Sequence, residues 1–170
     1  PGTHTFAVIA DTGVSRGMSK LGVALRPGTP PKPNLYVLAM GVSEYPKGIN
    51  QLNFCATDAR LLADAFQKQS KTVFANIEVK ILTDKDCTKQ AMVDGLKWLK
   101  SKMTPQDVGV VSFSGHGSRD IFGGFFLIPA DVDPNDSERT SFPGNTLKDA
   151  LDSMPGRLVA ILDACHSGMA

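Results

Sequence analysis

The sequence predicts an α/β protein, a three-layer α/β/α sandwich built on a mostly parallel sheet. Two observations predict it. From residue 35 onward, apolar runs alternate with stretches of helical spacing, and strands separated by helices pair in parallel. The runs Leu35–Val42 and Val108–Phe113 are also nearly continuous in apolar residues, as strands buried on both faces must be. With 170 residues and 42% hydrophobic content, the chain can bury one sizeable core.

The elements follow in order. Residues 3–26 read as a β-hairpin, with Leu21, Val23 and Leu25 alternating on the second arm and a polar link from Asp11 to Ser19. Arg26–Pro33 holds Pro27, Pro30, Pro31 and Pro33 and forms a stiff, non-helical spacer. A boundary falls there. Residues 1–33 are expected to be a hairpin and linker, the tail of a preceding domain, and residues 34–170 the main domain. Within the latter, Thr57–Gln69 has helical spacing with Leu61, Leu62, Ala65 and Phe66 on one face. Ile77–Leu82 reads as a strand. Asp86 or Thr88 caps a helix reaching Met103, with Met92, Leu96, Trp98 and Leu99 as its apolar positions. Gly124–Ile128 is a short aromatic strand. Asn145–Met154 is a short helix capped by Asn145 or Thr146, and Leu158–Leu162 is another buried strand.

Composition excludes several classes. Charged residues make up 21% and the net charge is +1, which argues against disorder and against an electrostatic grip on nucleic acid. The basic residues are scattered. No apolar run approaches a bilayer span. No basic segment followed by an apolar one opens the chain, as a signal peptide would. Cys55, Cys87 and Cys165 are odd in number and far apart, so a disulfide framework is not expected, and a reducing, cytoplasmic compartment is the simplest reading.

Two of the apolar strands end in polar signatures. One runs Val110-Val-Ser-Phe-Ser-Gly-His-Gly-Ser118, the other Leu158-Val-Ala-Ile-Leu-Asp-Ala-Cys-His-Ser-Gly168. Ligands of open α/β sheets bind beyond the carboxyl ends of strands, where both signatures fall. His116 lies between Gly115 and Gly117, which let the backbone turn sharply and approach a substrate. Taken alone it reads equally as a loop histidine. Cys165 taken alone reads as core packing, but the turn-forming His166-Ser167-Gly168 after it places the thiol at an edge. A thiol beside an imidazole that takes its proton becomes a thiolate nucleophile. The two residues are about 50 positions apart, the spacing of histidine and cysteine in caspases.

Ser114-Gly-His-Gly117 and Asp163-Ala-Cys-His-Ser-Gly168 resemble the paired signatures of the caspase-like cysteine peptidases, the bacterial members and metacaspases above all. Leu35-Tyr-Val-Leu-Ala-Met-Gly-Val-Ser-Glu-Tyr45 resembles their opening strand and turn, and Asn53-Phe-Cys-Ala-Thr-Asp-Ala59 their next segment. The resemblance covers residues 34–170 and implies a caspase-like sandwich. It implies a cysteine endopeptidase in which Cys165 attacks the scissile carbonyl, His116 transfers protons, and the N–H groups of Gly117 and Cys165 hold the oxyanion. No acidic third member is implied.

Specificity follows from the same resemblance. Where animal caspases carry a glutamine that helps bind aspartate, this chain has Asp163, and Asp58 matches a second acidic residue of proteins that cut after Arg or Lys. A guanidinium accommodates two carboxylates in one pocket, so cleavage after Arg, and after Lys, is expected. Asp58 also reads as a charge favoured at a helix N-terminus, and Asp163 as a carboxylate that orients the nucleophile loop. Many metacaspases need calcium, but Gly123-Gly124-Phe125-Phe126 stands where those proteins are more acidic. No cofactor or metal is therefore expected, although Asp120, Asp131, Asp133 and Asp136 after the histidine motif leave calcium open as an alternative; Asp131, Asp133, Asn135 and Asp136 read more simply as a solvated turn. Protein or peptide substrates with basic residues are the expected partners, with no nucleic acid and no membrane. Caspase-like folds continue beyond the nucleophile, so the sandwich is expected to be incomplete at the C-terminus, with an exposed sheet edge. A small-subunit chain or C-terminal remainder would complete it.

Rival readings are weaker. A zinc site from Cys55, His116, Cys165 and His166 lacks metal-ligand spacing, and the residues around Ser167 lack the glycines of a serine-hydrolase elbow. The remaining alternative is a latent or inactive caspase-like module that binds partners.

Overall fold

The computed structural model describes residues 3–11, 16–24, 31–69 and 73–165, the first two stretches as backbone. The chain divides into two compact units, Pro1–Pro31 and Lys32–Ala170. In the first, β1 (Thr3–Asp11) and β2 (Arg16–Ala24) pair antiparallel, with Phe6 opposite Leu21. Ser19, expected in the link, lies inside β2. Leu25 of the expected second arm and residues 26–30 of the proline spacer are outside the described residues.

The second unit runs β3 (Leu35–Gly41), α1 (Cys55–Gln67), β4 (Ile77–Thr83), a 3₁₀ turn at Asp84–Asp86, α2 (Lys89–Lys102) and β5 (Val108–Ser114). It continues with β6 (Gly117–Arg119), β7 (Phe125–Leu127), α3 (Ser137–Thr140), β8 (Phe142–Pro143), α4 (Gly144–Asp152) and β9 (Arg157–Asp163). Four strands form one parallel sheet in the order β4-β3-β5-β9. β3 lies between two strands and beneath helices on both faces, and every one of its residues is buried. That position leaves no polar side, which is why the segment is apolar throughout.

Alternation along the strands separates two cores. Leu35, Val37, Ala39 and Val110 pack with Ala59 and Ala63 of α1. Leu38, Met40, Val111 and Phe113 face the other way, onto Met92, Leu96 and Leu99 of α2 and Leu147 of α4. α1 therefore covers one face and α2 with α4 the other, and the fold is the expected α/β/α sandwich. Complete burial of each large side chain contributes roughly 1.5–3 kcal/mol. No helix among the described residues is long and apolar enough to cross a membrane.

Four local expectations need correction. α1 begins at Cys55 and buries Ala56, Ala59 and Ala63, whereas Leu61 is 61% exposed. Small residues let the helix lie close on the sheet. The first turn is capped from outside the helix, since Ser43 Oγ accepts the Ala56 N–H at 3.0 Å. The Gly124–Ile128 segment forms β7, which pairs antiparallel with β6 and β8 in a separate small sheet. Strands of two or three residues are too short to show a period. α4 starts after Pro143 without a side-chain cap; Asn145 Oδ1 instead accepts the N–H of Thr146. β9 is not a buried strand. It lies at the sheet edge, with Val159 48% and Ile161 39% exposed. α2 behaves as expected, with Thr88 rather than Asp86 as its cap, accepting the Ala91 N–H at 3.1 Å.

The amino ends of the strands are tied by Asp107, only 2% exposed. Its carboxylate accepts the Asn34 N–H at 2.8 Å and Nδ2 at 3.0 Å, and the Thr104 N–H at 2.8 Å and Oγ1 at 2.7 Å. Its carbonyl accepts the Arg157 N–H at 3.0 Å. Burial pushes this carboxyl up, but the hydrogen bonds from Thr104 and Asn34 outweigh burial and hold it below its ordinary value.

Candidate active site

The parallel register delivers the two signatures to one edge. Ser114 stands beside Asp163 at the carboxyl ends of β5 and β9, and the Gly115 N–H donates to the Asp163 carbonyl at 3.1 Å. His116 and Cys165 each follow two residues after that pair, so both emerge at the same level of neighbouring strands. The segments touch at Gly117, where an added Cβ would overlap the Cys165 carbonyl. Glycine is required there by the close approach itself. Cys165 is exposed.

The backbone direction at Gly117 follows from the ladder. Ile128 donates to the His116 carbonyl at 3.0 Å, and Asp120 donates to the Gly124 carbonyl at 3.0 Å. Hydrogen-bonded and non-bonded positions alternate in an antiparallel pair. Gly117, opposite Leu127, is therefore a non-bonded position whose N–H points away from β7.

The imidazole is held by the loop between β3 and α1. His116 Nε2 lies 2.8 Å from the Asn50 carbonyl oxygen. A carbonyl only accepts, so Nε2 carries the hydrogen and Nδ1 is the basic nitrogen of the neutral ring. The Tyr45 ring packs against the imidazole, centroids 4.7 Å apart and tilted by 46°. The loop is anchored by Asp84, whose Oδ1 accepts the N–H groups of Ser43 at 2.8 Å and Glu44 at 3.1 Å.

Asp58 and Asp163 meet in one cleft of about 190 Å³ between α1 and the β5–β9 face, with Ser112, Ser114 and Ile161 among its lining residues. Ser114 Oγ donates to Asp163 Oδ2 at 3.2 Å. Ser112 Oγ is buried and has no hydrogen-bond partner among the described residues. Asp58 also sits in the first turn of α1, where the dipole favours it. A second cleft, of about 240 Å³, lies between α2 and α4 on the opposite face and carries none of these groups.

The other candidates separate from this site. Burial pushes the Cys87 thiol up to about 12, which makes it inert near neutrality. Cys55 opens α1 and is partly buried. Asp131 Oδ1 accepts the Lys89 N–H at 2.8 Å, Asp133 Oδ1 accepts the Asn135 N–H at 2.9 Å, and Asp136 pairs with Arg139. These carboxylates organise turns and a helix start. Among the described residues no group of three or more His, Cys, Asp or Glu is placed to hold a metal ion. His166, Ser167 and Gly168 and the side chain of His4 lie outside the described residues.

Sequence reasoning assigned no role to Tyr45, Asn50, Gln51, Ser112 or Ser114. Asn50 acts through a backbone carbonyl, which leaves no side-chain signal. The serines did leave one: two hydroxyls at alternate positions near the end of an apolar strand mark one polar face.

A parallel α/β sheet with histidine and cysteine at adjacent strand ends has the build of a cysteine peptidase. The chain belongs to the caspase domain family, whose model matches residues 35–170, and it is thus a caspase-like cysteine peptidase family member. Among solved structures it is similar to a protein from Geobacter sulfurreducens determined as a structural genomics target, with a TM-score of 0.66 and 20% identity. The match covers 79% of this chain and 52% of that one, so the chain spans about half the length of the matched structure. At that identity the likeness speaks for the fold. No curated protein sequence matches the chain.

Proposed function

We propose that the chain carries the catalytic dyad of a cysteine endopeptidase that cleaves after Arg, and after Lys. The observation that carries the proposal is the common level of His116 and Cys165 on β5 and β9, beside a cleft lined by Asp58 and Asp163.

In this mechanism the Cys165 thiol gives its proton to His116 Nδ1, and Sγ attacks the scissile carbonyl carbon. The carbonyl oxygen becomes an oxyanion that accepts hydrogen bonds from the Gly117 and Cys165 N–H groups. The intermediate collapses, the C–N bond breaks, and His116 returns the proton to the leaving amine. Water then attacks the thioester, giving its proton to His116; the C–S bond breaks, the acid leaves, and His116 returns the proton to Sγ. The guanidinium of the residue before the scissile bond lies between Asp58 and Asp163, where two carboxylates favour a cation and repel an acidic side chain. None of these steps calls on a metal or cofactor. A further strand, from a C-terminal remainder or a separate small-subunit chain, pairs onto β9; its place at the edge of the sheet supports that docking.

An arginyl chloromethyl ketone peptide tests the site. Peptide mapping of the treated full-length protein is expected to find the label on Cys165 and not on Cys55 or Cys87. Labelling elsewhere, or equal labelling by an aspartyl analogue, contradicts the proposal. A protein that takes no label would instead support the latent, partner-binding module.

A further inference from the structure

We propose that Tyr45 is a positioning residue for His116, its hydroxyl built into the β ladder in place of one rung; this rests on His116 being the proton-transfer group proposed above. His116 and Ile128 continue the register of Gly117 and Leu127. One bond of that pair is present, from the Ile128 N–H to the His116 carbonyl at 3.0 Å. The reciprocal connection runs through Tyr45. Its Oη accepts the His116 N–H at 2.8 Å and donates to the Ile128 carbonyl at 3.3 Å. A hydroxyl both accepts and donates, so it bridges two groups that would otherwise bond directly.

The bridge falls at the residue whose ring must leave the sheet to work. The same tyrosine sets the tilt of that ring by packing on it. Gly115 leaves room for the arrangement, since a Cβ there would come within 2.8 Å of Tyr45 Oη. Tyr45 is itself held at both backbone groups by one side chain. Gln51 Oε1 accepts its N–H at 2.8 Å, and Gln51 Nε2 donates to its carbonyl at 2.8 Å. Gln51 directly follows Asn50, whose carbonyl holds Nε2. A single amide thus couples the brace that sets the ring's tilt to the brace that sets its tautomer.

The test is Tyr45→Phe in the full-length protein, with Tyr36→Phe as control. Tyr36 is also a buried tyrosine, but it packs on Trp98 away from the site. Tyr45→Phe is expected to lower kcat by about 10- to 100-fold with KM within twofold, while Tyr36→Phe leaves both within twofold. Nitrogen NMR of the His116 ring gives a readout independent of cleavage. In the wild type Nε2 is expected to be protonated and Nδ1 free; in Tyr45→Phe the two signals are expected to move toward an average of tautomers. An unchanged ring spectrum overturns the proposal whatever happens to kcat, because a fall in kcat would then reflect lost stability alone. If the wild type cleaves nothing, the peptidase reading fails, and the ring spectrum still decides the role of Tyr45.

Discussion

The two ends of the same sheet each carry buried or clefted aspartate, and they use it in opposite ways. At the amino end, Asp107 is enclosed and accepts four hydrogen bonds from Asn34 and Thr104. A carboxylate has about four acceptor sites, so nothing is left for a ligand. At the carboxyl end, the Asp163 carboxylate accepts one hydrogen bond among the described residues, from Ser114, and shares a cleft with Asp58. The difference separates a carboxylate that holds strands together from a pair with capacity to bind a cation. Residue type is the same; saturation and exposure are what set the proposed role of the second pair apart.

The largest expected break in that comparison is at the strand ends. His116→Ala should lower peptide cleavage by roughly 10³-fold or more while the melting temperature stays near that of the wild type, because the ring is not part of either core. Asp163→Asn comes next. Steady-state kinetics should show kcat/KM for arginyl peptides falling by about 10- to 100-fold, roughly 1.4–2.8 kcal/mol, with Asp58→Asn moving in the same direction. At the other end, Asp107→Asn should leave turnover per folded molecule unchanged but cost about 1–3 kcal/mol of stability in denaturant titration, since an amide turns donors toward donors. The pH dependence has a definite sign. The Asp107 carboxyl is held below its ordinary value, so its contribution is complete above about pH 4 and is lost as pH falls through the lower folded value. The gap between wild type and Asp107→Asn should therefore close in acid. The smallest effect is expected on the outer face of α1, where Leu61→Ser should change stability by no more than about 0.5 kcal/mol.

That last prediction marks where sequence patterning misled. Leucines at helical spacing suggested the buried face of α1, but the helix turns Ala56, Ala59 and Ala63 to the sheet because the approach is close. Long apolar strands were legible, since β3 and β5 are central and need apolar residues on both sides. β9 was misread as buried because its aliphatic run has the composition of a core strand although it lies at the sheet edge. Its aliphatic run does not reveal which face is covered. The glycine-flanked histidine and the cysteine before a turn were legible as candidates, because their neighbours suit backbone turns and not cores, and their two segments do meet at Gly117. The braces on the imidazole were not. Asn50 works through its carbonyl, and Tyr45 acts across the fold on His116 and Ile128, far away in sequence.

Hydrolysis of matched fluorogenic peptides ending in Arg, Lys or Asp, by the full-length protein and its Cys165→Ala variant, tests the central claim most directly. Cleavage after Arg, weaker after Lys, absent after Asp and lost in the variant is the predicted result. Cleavage after Asp, or cleavage that survives in Cys165→Ala, would contradict it.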